Sequence, residues 1–216
     1  MAGLRIVIAD DHPLFRDALR LTVARDYPDA EIAEAQSFDT LRAQLEARPE
    51  TDLVLLDLRM PGMQGLSGLL FMRAAFAAVP VAIISAEDQH SIVRRAIELG
   101  ATGYIAKSTG ADGIRKALAA LLSGGVWIPP GIENREPRDG LATARLARLT
   151  PQQIRVLMML SEGSPNKKIA RALSVSEATV KAHVSAILEK LEVENRTQAV
   201  VLAREIAALP ELTPPA

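Results

Sequence analysis

The first 124 residues of the chain alternate short runs of branched apolar residues with longer stretches of helical periodicity, and few folds accommodate that pattern. Residues 4–9 (LRIVIA), 52–56 (DLVLL) and 79–84 (VPVAII) show no polar alternation. Such runs suit strands buried on both faces, as in parallel sheets covered by helices. Residues 31–35 and 102–106 are weaker strand candidates. Helical stretches fall at about 12–26, 37–48, 64–76, 88–99 and 110–123. Five strands alternating with five helices imply βαβ units. Right-handed crossovers then wind them into an α/β doubly wound, five-stranded parallel sheet.

The pattern breaks at Gly124. Gly124 and Gly125, then Pro129, Pro130 and Gly131, then the charged stretch 133–140 read as a linker. Helical signals resume at Thr150, a capping residue with Pro151 at the first helical position. Helices are expected at about 151–162, 166–173, 177–190 and 197–207, with no strand. The expected division is residues 1–124, a linker at 125–148, and an all-α four-helix unit at 149–212.

Charge follows the same division. The net charge is −1, but residues 1–124 carry net −3 and residues 125–216 carry net +2. That excess is too small to indicate nucleic acid by itself. Cysteine is absent, which removes disulfides and thiolate metal sites and fits a reducing cytoplasm. The three histidines are scattered, without zinc spacing. No apolar run reaches the roughly 18 residues of a membrane helix, and the N-terminus has no signal-peptide pattern. The chain is expected to be cytoplasmic, with no membrane partner.

Chemistry concentrates at the strand ends. The first strand runs into Asp10 and Asp11, the third into Asp57 and the fourth into Ser85, and Lys107 follows the fifth. In an open parallel sheet these carboxyl ends form one edge, where ligands bind. Three carboxylates placed together repel unless a cation lies between them, and hard oxygen ligands suit Mg²⁺. A carboxylate beside Mg²⁺ and a lysine can attack phosphorus and form an acyl phosphate. The plainer reading is that Asp10 or Asp11 only caps the next helix.

Asp10–Asp11, Asp57 followed by Met60–Pro61–Gly62, Ser85–Ala86, Gly103–Tyr104 and Lys107 together resemble the receiver domain of two-component response regulators, a flavodoxin-like fold, over residues 4–124. The resemblance implies that Asp57 accepts a phosphoryl group from a sensor histidine kinase. It implies that Asp11, Asp57 and the backbone carbonyl of Arg59 hold Mg²⁺, with Asp10 helping through water. Lys107 and Ser85 would engage the phosphoryl oxygens, and Tyr104 would be an aromatic switch that turns inward as Ser85 moves. Simple core filling by Tyr104, and a solvated charge at Lys107, are the alternatives.

In the back half, residues 166–173 (NKKIARAL) form a short helix, residues 174–176 a turn, and Ser176 caps the next helix. On that helix Val180, Val184, Ile187, Leu188 and Leu191 make a core stripe. Lys181, Ala182 and Ser185 lie opposite. Two helices joined by so short a turn match helix-turn-helix geometry, with the second helix in the DNA major groove. Lysine suits guanine and alanine a thymine methyl. Thr179, Asn166, Lys167, Lys190 and Arg196 are phosphate candidates. A plain helical bundle is the competing reading.

The segments LTPQQIRVL, EGSPNKKIARALSVSEATVKAHVSAILEKL and NRTQAV closely resemble the LuxR-type DNA-binding domain. The whole chain thus looks like a NarL/FixJ-type response regulator. That implies a transcription regulator rather than an enzyme, with double-stranded DNA as partner and a homodimer when active. The last helix would make the dimer contact, with Val200, Val201 and Arg204 there. One departure is Glu192, where the family usually has a glycine C-cap. It implies either a left-handed glutamate or a helix that runs on. Other functions weighed are an aspartyl-phosphate phosphatase, and a DNA-binding regulator with an unphosphorylated receiver switched by a ligand or partner.

Overall fold

The computed structural model describes residues 3–63, 65–132, 144–146 and 148–207. The front half is built in the order β1 (Arg5–Ala9), α1 (Pro13–Asp26), β2 (Glu31–Ala35), α2 (Phe38–Ala47), β3 (Leu53–Asp57), α3 (Ser67–Ala75), β4 (Val81–Ser85), α4 (His90–Glu98), β5 (Gly103–Ala106) and α5 (Ala111–Leu122). The five strands are parallel, in the order β2-β1-β3-β4-β5. The expected doubly wound sheet is therefore present.

Period-2 alternation sends successive strand residues to opposite faces. Ile6, Ile8, Leu53, Leu55, Ala82, Ile84 and Ile105 pack with residues of α1 and α5. Val7, Ala9, Val54, Leu56, Val81 and Ile83 lie in the other core layer, with residues of α2, α3 and α4. Both faces are thus apolar, which is why β1, β3 and β4 show no polar alternation. Strand β2 lies at an edge and keeps the more polar sequence EIAEA. Strand order reverses between β1 and β3, so Asp10 and Asp57 flank the switch point.

The start of the expected linker is not free chain. The backbone amide of Tyr104 donates to the Trp127 carbonyl at 2.8 Å, so residues near 127 lie beside β5. The charged stretch 133–140 lies outside the described residues.

The back half contains α6 (Pro151–Ser161), α7 (Asn166–Ala172), α8 (Glu177–Leu191) and α9 (Arg196–Ala207), with no strand among the described residues. Thr150 and Gln153 make a capping box at the start of α6. Ser176 caps α8 by accepting the Thr179 amide at 3.0 Å. Of the two expectations for Glu192, the left-handed one is found, at φ 56°. The Glu192 carboxylate pairs with Arg145 at 2.6 Å and Arg148 at 3.1 Å. Helix α6 packs against α3, which is buried continuously from Ser67 to Met72. A helix so enclosed must be apolar nearly all round, and SGLLFM is.

Gly103 is glycine because the chain returns so closely. A Cβ there would lie 2.8 Å from Leu121 Cδ2 and 3.0 Å from the Trp127 carbonyl oxygen. Gly103→Ala is expected to destabilise the protein by about 1–3 kcal/mol through overpacking. The denaturant midpoint followed by fluorescence of Trp127, the single tryptophan, measures this.

Candidate functional site

Asp10 follows β1 and Asp57 ends β3, and both are almost completely buried. Lys107, in the loop after β5, reaches between them. Its Nζ lies 2.7 Å from Asp10 Oδ2 and 2.9 Å from Asp57 Oδ2. The same ammonium stands 4.9 Å from the centre of the Phe15 ring. Burial pushes the Asp57 carboxyl above its ordinary value, the nearby Lys107 and an Arg59 backbone hydrogen bond oppose that, and Asp10 adds to it.

Two carboxylates against one ammonium leave a negative pocket. Ligand atoms of Asp10, Asp11, His12 and Asp57 all lie within 4.8 Å of one another. Asp10 Oδ2 is paired with the Lys107 ammonium, and the buried Asp11 Oδ1 has His12 Nδ1 2.7 Å away. Clustered oxygens with spare lone pairs fit a hard divalent cation. The cap reading is answered as well. Asp10 Oδ1 accepts the His12 amide at 2.8 Å, but the cap residue of α1 is His12, without a side-chain cap. Arg16 fixes the turn from below, donating to the Asp10 carbonyl at 2.8 Å and to Glu34 at 2.6 Å.

Ser85 is buried at the end of β4, and its Oγ accepts the Glu87 amide at 3.2 Å. The Tyr104 hydroxyl donates to the Glu87 carbonyl, and its ring is fully buried. The aromatic ring is therefore inward in this structure. Burial pushes its phenol well above the ordinary range. The Glu87 carboxylate pairs with the Arg59 guanidinium, Nε at 2.7 Å. His12, Arg16 and Glu87 were not singled out by sequence reasoning. A buried glutamate two residues beyond a strand end carries no sequence signal, because burial depends on the loop.

In the back half, Thr179, Lys181, Ala182 and Ser185 are exposed on α8, while Val180, Ile187 and Leu191 are buried behind them. Lys167 is exposed on α7. The other expected phosphate contacts have partners within the chain. Lys190 donates to the Arg148 carbonyl at 3.0 Å and to Gln153 Oε1 at 2.8 Å. Arg196 donates to Asn166 Oδ1 at 3.1 Å and to the Ser164 carbonyl at 2.7 Å. On α9 Val200 is half-buried, Val201 is exposed, and Arg204 donates to the Ser161 carbonyl.

The response regulator receiver domain family matches residues 6–119. The luxR family of bacterial regulatory proteins matches residues 147–203. The chain belongs to the two-component response regulators. The glycerol metabolism activator of Pseudomonas putida is 41% identical over 211 residues, covering 94% of this chain and 96% of that one. The nitrate/nitrite response regulator protein NarL of Escherichia coli (strain K12) is 31% identical over 201 residues, 91% of this chain and 93% of its own. Among solved structures, RcsB from Salmonella enterica serovar Typhimurium, bound to promoter rprA with phosphomimetic BeF3⁻, has the same fold. Its TM-score is 0.54 at 23% identity, over 93% of this chain and 98% of that one. This response regulator is a DNA-binding transcription regulator and not an enzyme. Its acidic cluster is of the kind that holds Mg²⁺ in receivers. No helix among the described residues is long and apolar enough to cross a membrane.

The raised Asp57 carboxyl makes a stability prediction. The folded protein holds that proton more tightly than the unfolded chain. The associated stability is complete below the ordinary aspartate value of 3.8 and is lost as pH rises through the folded value. Asp57→Asn removes the ionised form, so without divalent cations it should melt above wild type at neutral pH. The advantage should shrink as pH falls toward 3.8. Thermal melts across that range, in chelator, measure it.

Proposed function

We propose that this regulator is switched by phosphorylation of Asp57. A sensor histidine kinase supplies the phosphoryl group. A carboxylate oxygen of Asp57 attacks phosphorus, an O–P bond forms, the P–N bond to the kinase imidazole breaks, and the bonding pair stays with that nitrogen. The observation that carries this reading is the placement of the Asp57 carboxylate 2.9 Å from the Lys107 ammonium, at the sheet edge beside Asp10.

Asp11, Asp57 and the Arg59 carbonyl would hold Mg²⁺, with Asp10 acting through water. When bound, the cation neutralises charge on the transferring group. Lys107 pairs with the phosphoryl oxygens, and the Ser85 hydroxyl donates to one of them. Drawing Ser85 toward the phosphoryl group moves its Oγ away from the Glu87 amide, and Glu87 also holds the Tyr104 hydroxyl. Phosphorylation thereby reaches α4, β5 and α5, the face this reading assigns to the response.

The output is a homodimer that binds a two-half-site operator in double-stranded DNA. Residues 1–124 form the receiver, 125–148 the linker and 149–212 the DNA-binding domain, and the protein works in the cytoplasm. Lys181, Ala182 and Ser185 read base edges, and Lys167 and Thr179 meet phosphates. Asn166, Lys190 and Arg196 reach phosphates by exchanging their contacts within the chain. Val200 and Val201 contribute to the dimer contact, and Arg204 joins them by leaving the Ser161 carbonyl.

Phosphodonor treatment should convert wild type to dimer and tighten operator binding, and leave Asp57→Asn unchanged. Sedimentation and fluorescence anisotropy measure the two effects. Equal behaviour of both proteins would instead support a ligand- or partner-switched receiver. Lys181→Ala should cost about 1–3 kcal/mol on operator DNA and relax preference at one position. Lys167→Ala should weaken all sequences alike and lower the salt slope by about 1. Anisotropy titrations at several salt concentrations separate the two.

A further inference from the structure

His12 brings a nitrogen donor to a pocket otherwise made of oxygens. Its Nδ1 lies 2.7 Å from Asp11 Oδ1, 3.3 Å from Asp10 Oδ1 and 3.9 Å from Asp57 Oδ2. The Nδ1 and the Asp11 oxygen meet at ion-pair distance without hydrogen-bond alignment. Both atoms border the same pocket. Around a small six-coordinate cation with ligands at about 2.0–2.1 Å, adjacent donors stand about 3 Å apart and opposite donors about 4 Å. The Asp11 and Asp57 separations lie close to those spacings, so His12, Asp11 and Asp57 could share one such cation, with Asp10 acting through water. Asp10, completely buried, keeps its Oδ2 on the Lys107 ammonium at 2.7 Å.

The position of the imidazole is built in. The His12 amide donates to Asp10 at 2.8 Å, its carbonyl accepts the Arg16 amide at 3.0 Å, and Pro13 follows with its fixed φ. The side chain is 63% exposed, which leaves the far side of the ring open to water.

We propose that His12 is a direct ligand of the divalent cation in this receiver, and that it tilts the pocket from Mg²⁺ toward borderline transition metals such as Co²⁺ and Ni²⁺. The proposal rests on the reading of the Asp57 pocket as a cation site. Imidazole suits transition metals, whereas Mg²⁺ selects oxygen and water. Carboxylates bind both kinds of cation. The part that depends on His12 is therefore the quantity to measure.

The test uses untagged full-length protein in mildly alkaline buffer, where ordinary imidazoles are unprotonated. Wild type, His12→Asn and His12→Gln are titrated with MgCl₂ and with NiCl₂ in a calorimeter. Asparagine is a good helix cap and keeps the start of α1 intact. Mn²⁺-loaded samples are examined by pulsed paramagnetic resonance for coupling to a directly bound ¹⁴N. Losing only an outer partner of a ligand costs about 10–100-fold in affinity. Losing His12 should therefore cost on the order of tenfold or more in Ni²⁺ affinity. Mg²⁺ affinity should change little, and the nitrogen coupling should be present in wild type and absent from both variants. An unchanged ratio of Ni²⁺ to Mg²⁺ affinity, or no nitrogen coupling in wild type, overturns the proposal. If wild type binds neither cation, the cation-site reading falls with it. If all three proteins bind both cations alike and are still phosphorylated, only the role of His12 falls.

Discussion

A single ammonium between two buried carboxylates is the constraint around which the receiver is organised. Isolated burial of either charge would cost several kcal/mol. Lys107 offsets part of that for both, since its Nζ sits within 3 Å of each. The arrangement demands that three separate strands end at one level. The apolar core supplies that level: β1, β3 and β4 are buried along their whole length, and their register is set by the two packed faces. A slip of one residue would turn every strand side chain to the wrong layer. The charge cluster therefore inherits its precision from the hydrophobic sheet.

Because one positive charge faces two negative ones, the pocket stays responsive to any further charge. Glu87 is the residue through which that response leaves the pocket. Its amide holds Ser85, its carbonyl holds Tyr104, and its carboxylate holds Arg59, which follows Asp57 by two residues. A group that draws Ser85 out of its present position releases one of these three bonds and leaves two. The loop between β4 and α4 can then shift while both flanking strands keep their ladders. Such a junction separates a stiff sheet from a movable edge without any loss of core packing.

The back half divides its basic residues between two tasks. Lys190 and Arg196 tie α8 and α9 to the start of α6 and to the segment before α7. The exposed Lys181 and Lys167 stand on α8 and α7, clear of those ties. Glu192 follows the same division. Its left-handed backbone costs on the order of 1 kcal/mol relative to glycine. The carboxylate pairs with Arg145 and Arg148, which keeps that acid engaged at the end of α8. These exposed pairs contribute little stability individually, and their effect is to fix where α8 ends.

Hydrophobic period and turn chemistry make most of this legible in the sequence. The strands, the caps at Thr150 and Ser176, and the apolar stripe of α8 follow from local rules, because each is decided within a few neighbouring residues. Asp10, Asp57, Ser85 and Lys107 were legible because parallel topology sends strand ends to one edge. What stayed hidden depends on where long side chains turn after the backbone is placed. Lys190 and Arg196 look like phosphate contacts by position, and only the fold shows that Gln153 and Ser164 lie within their reach. The fold of residues near Trp127 against β5 was hidden by glycine and proline, which mark a break equally well before a linker and before an edge pairing. His12 was hidden for a different reason. Beside two aspartates at a helix start it reads as a neighbour of the site, and only the 2.7 Å approach of its Nδ1 to Asp11 shows that this nitrogen faces the pocket.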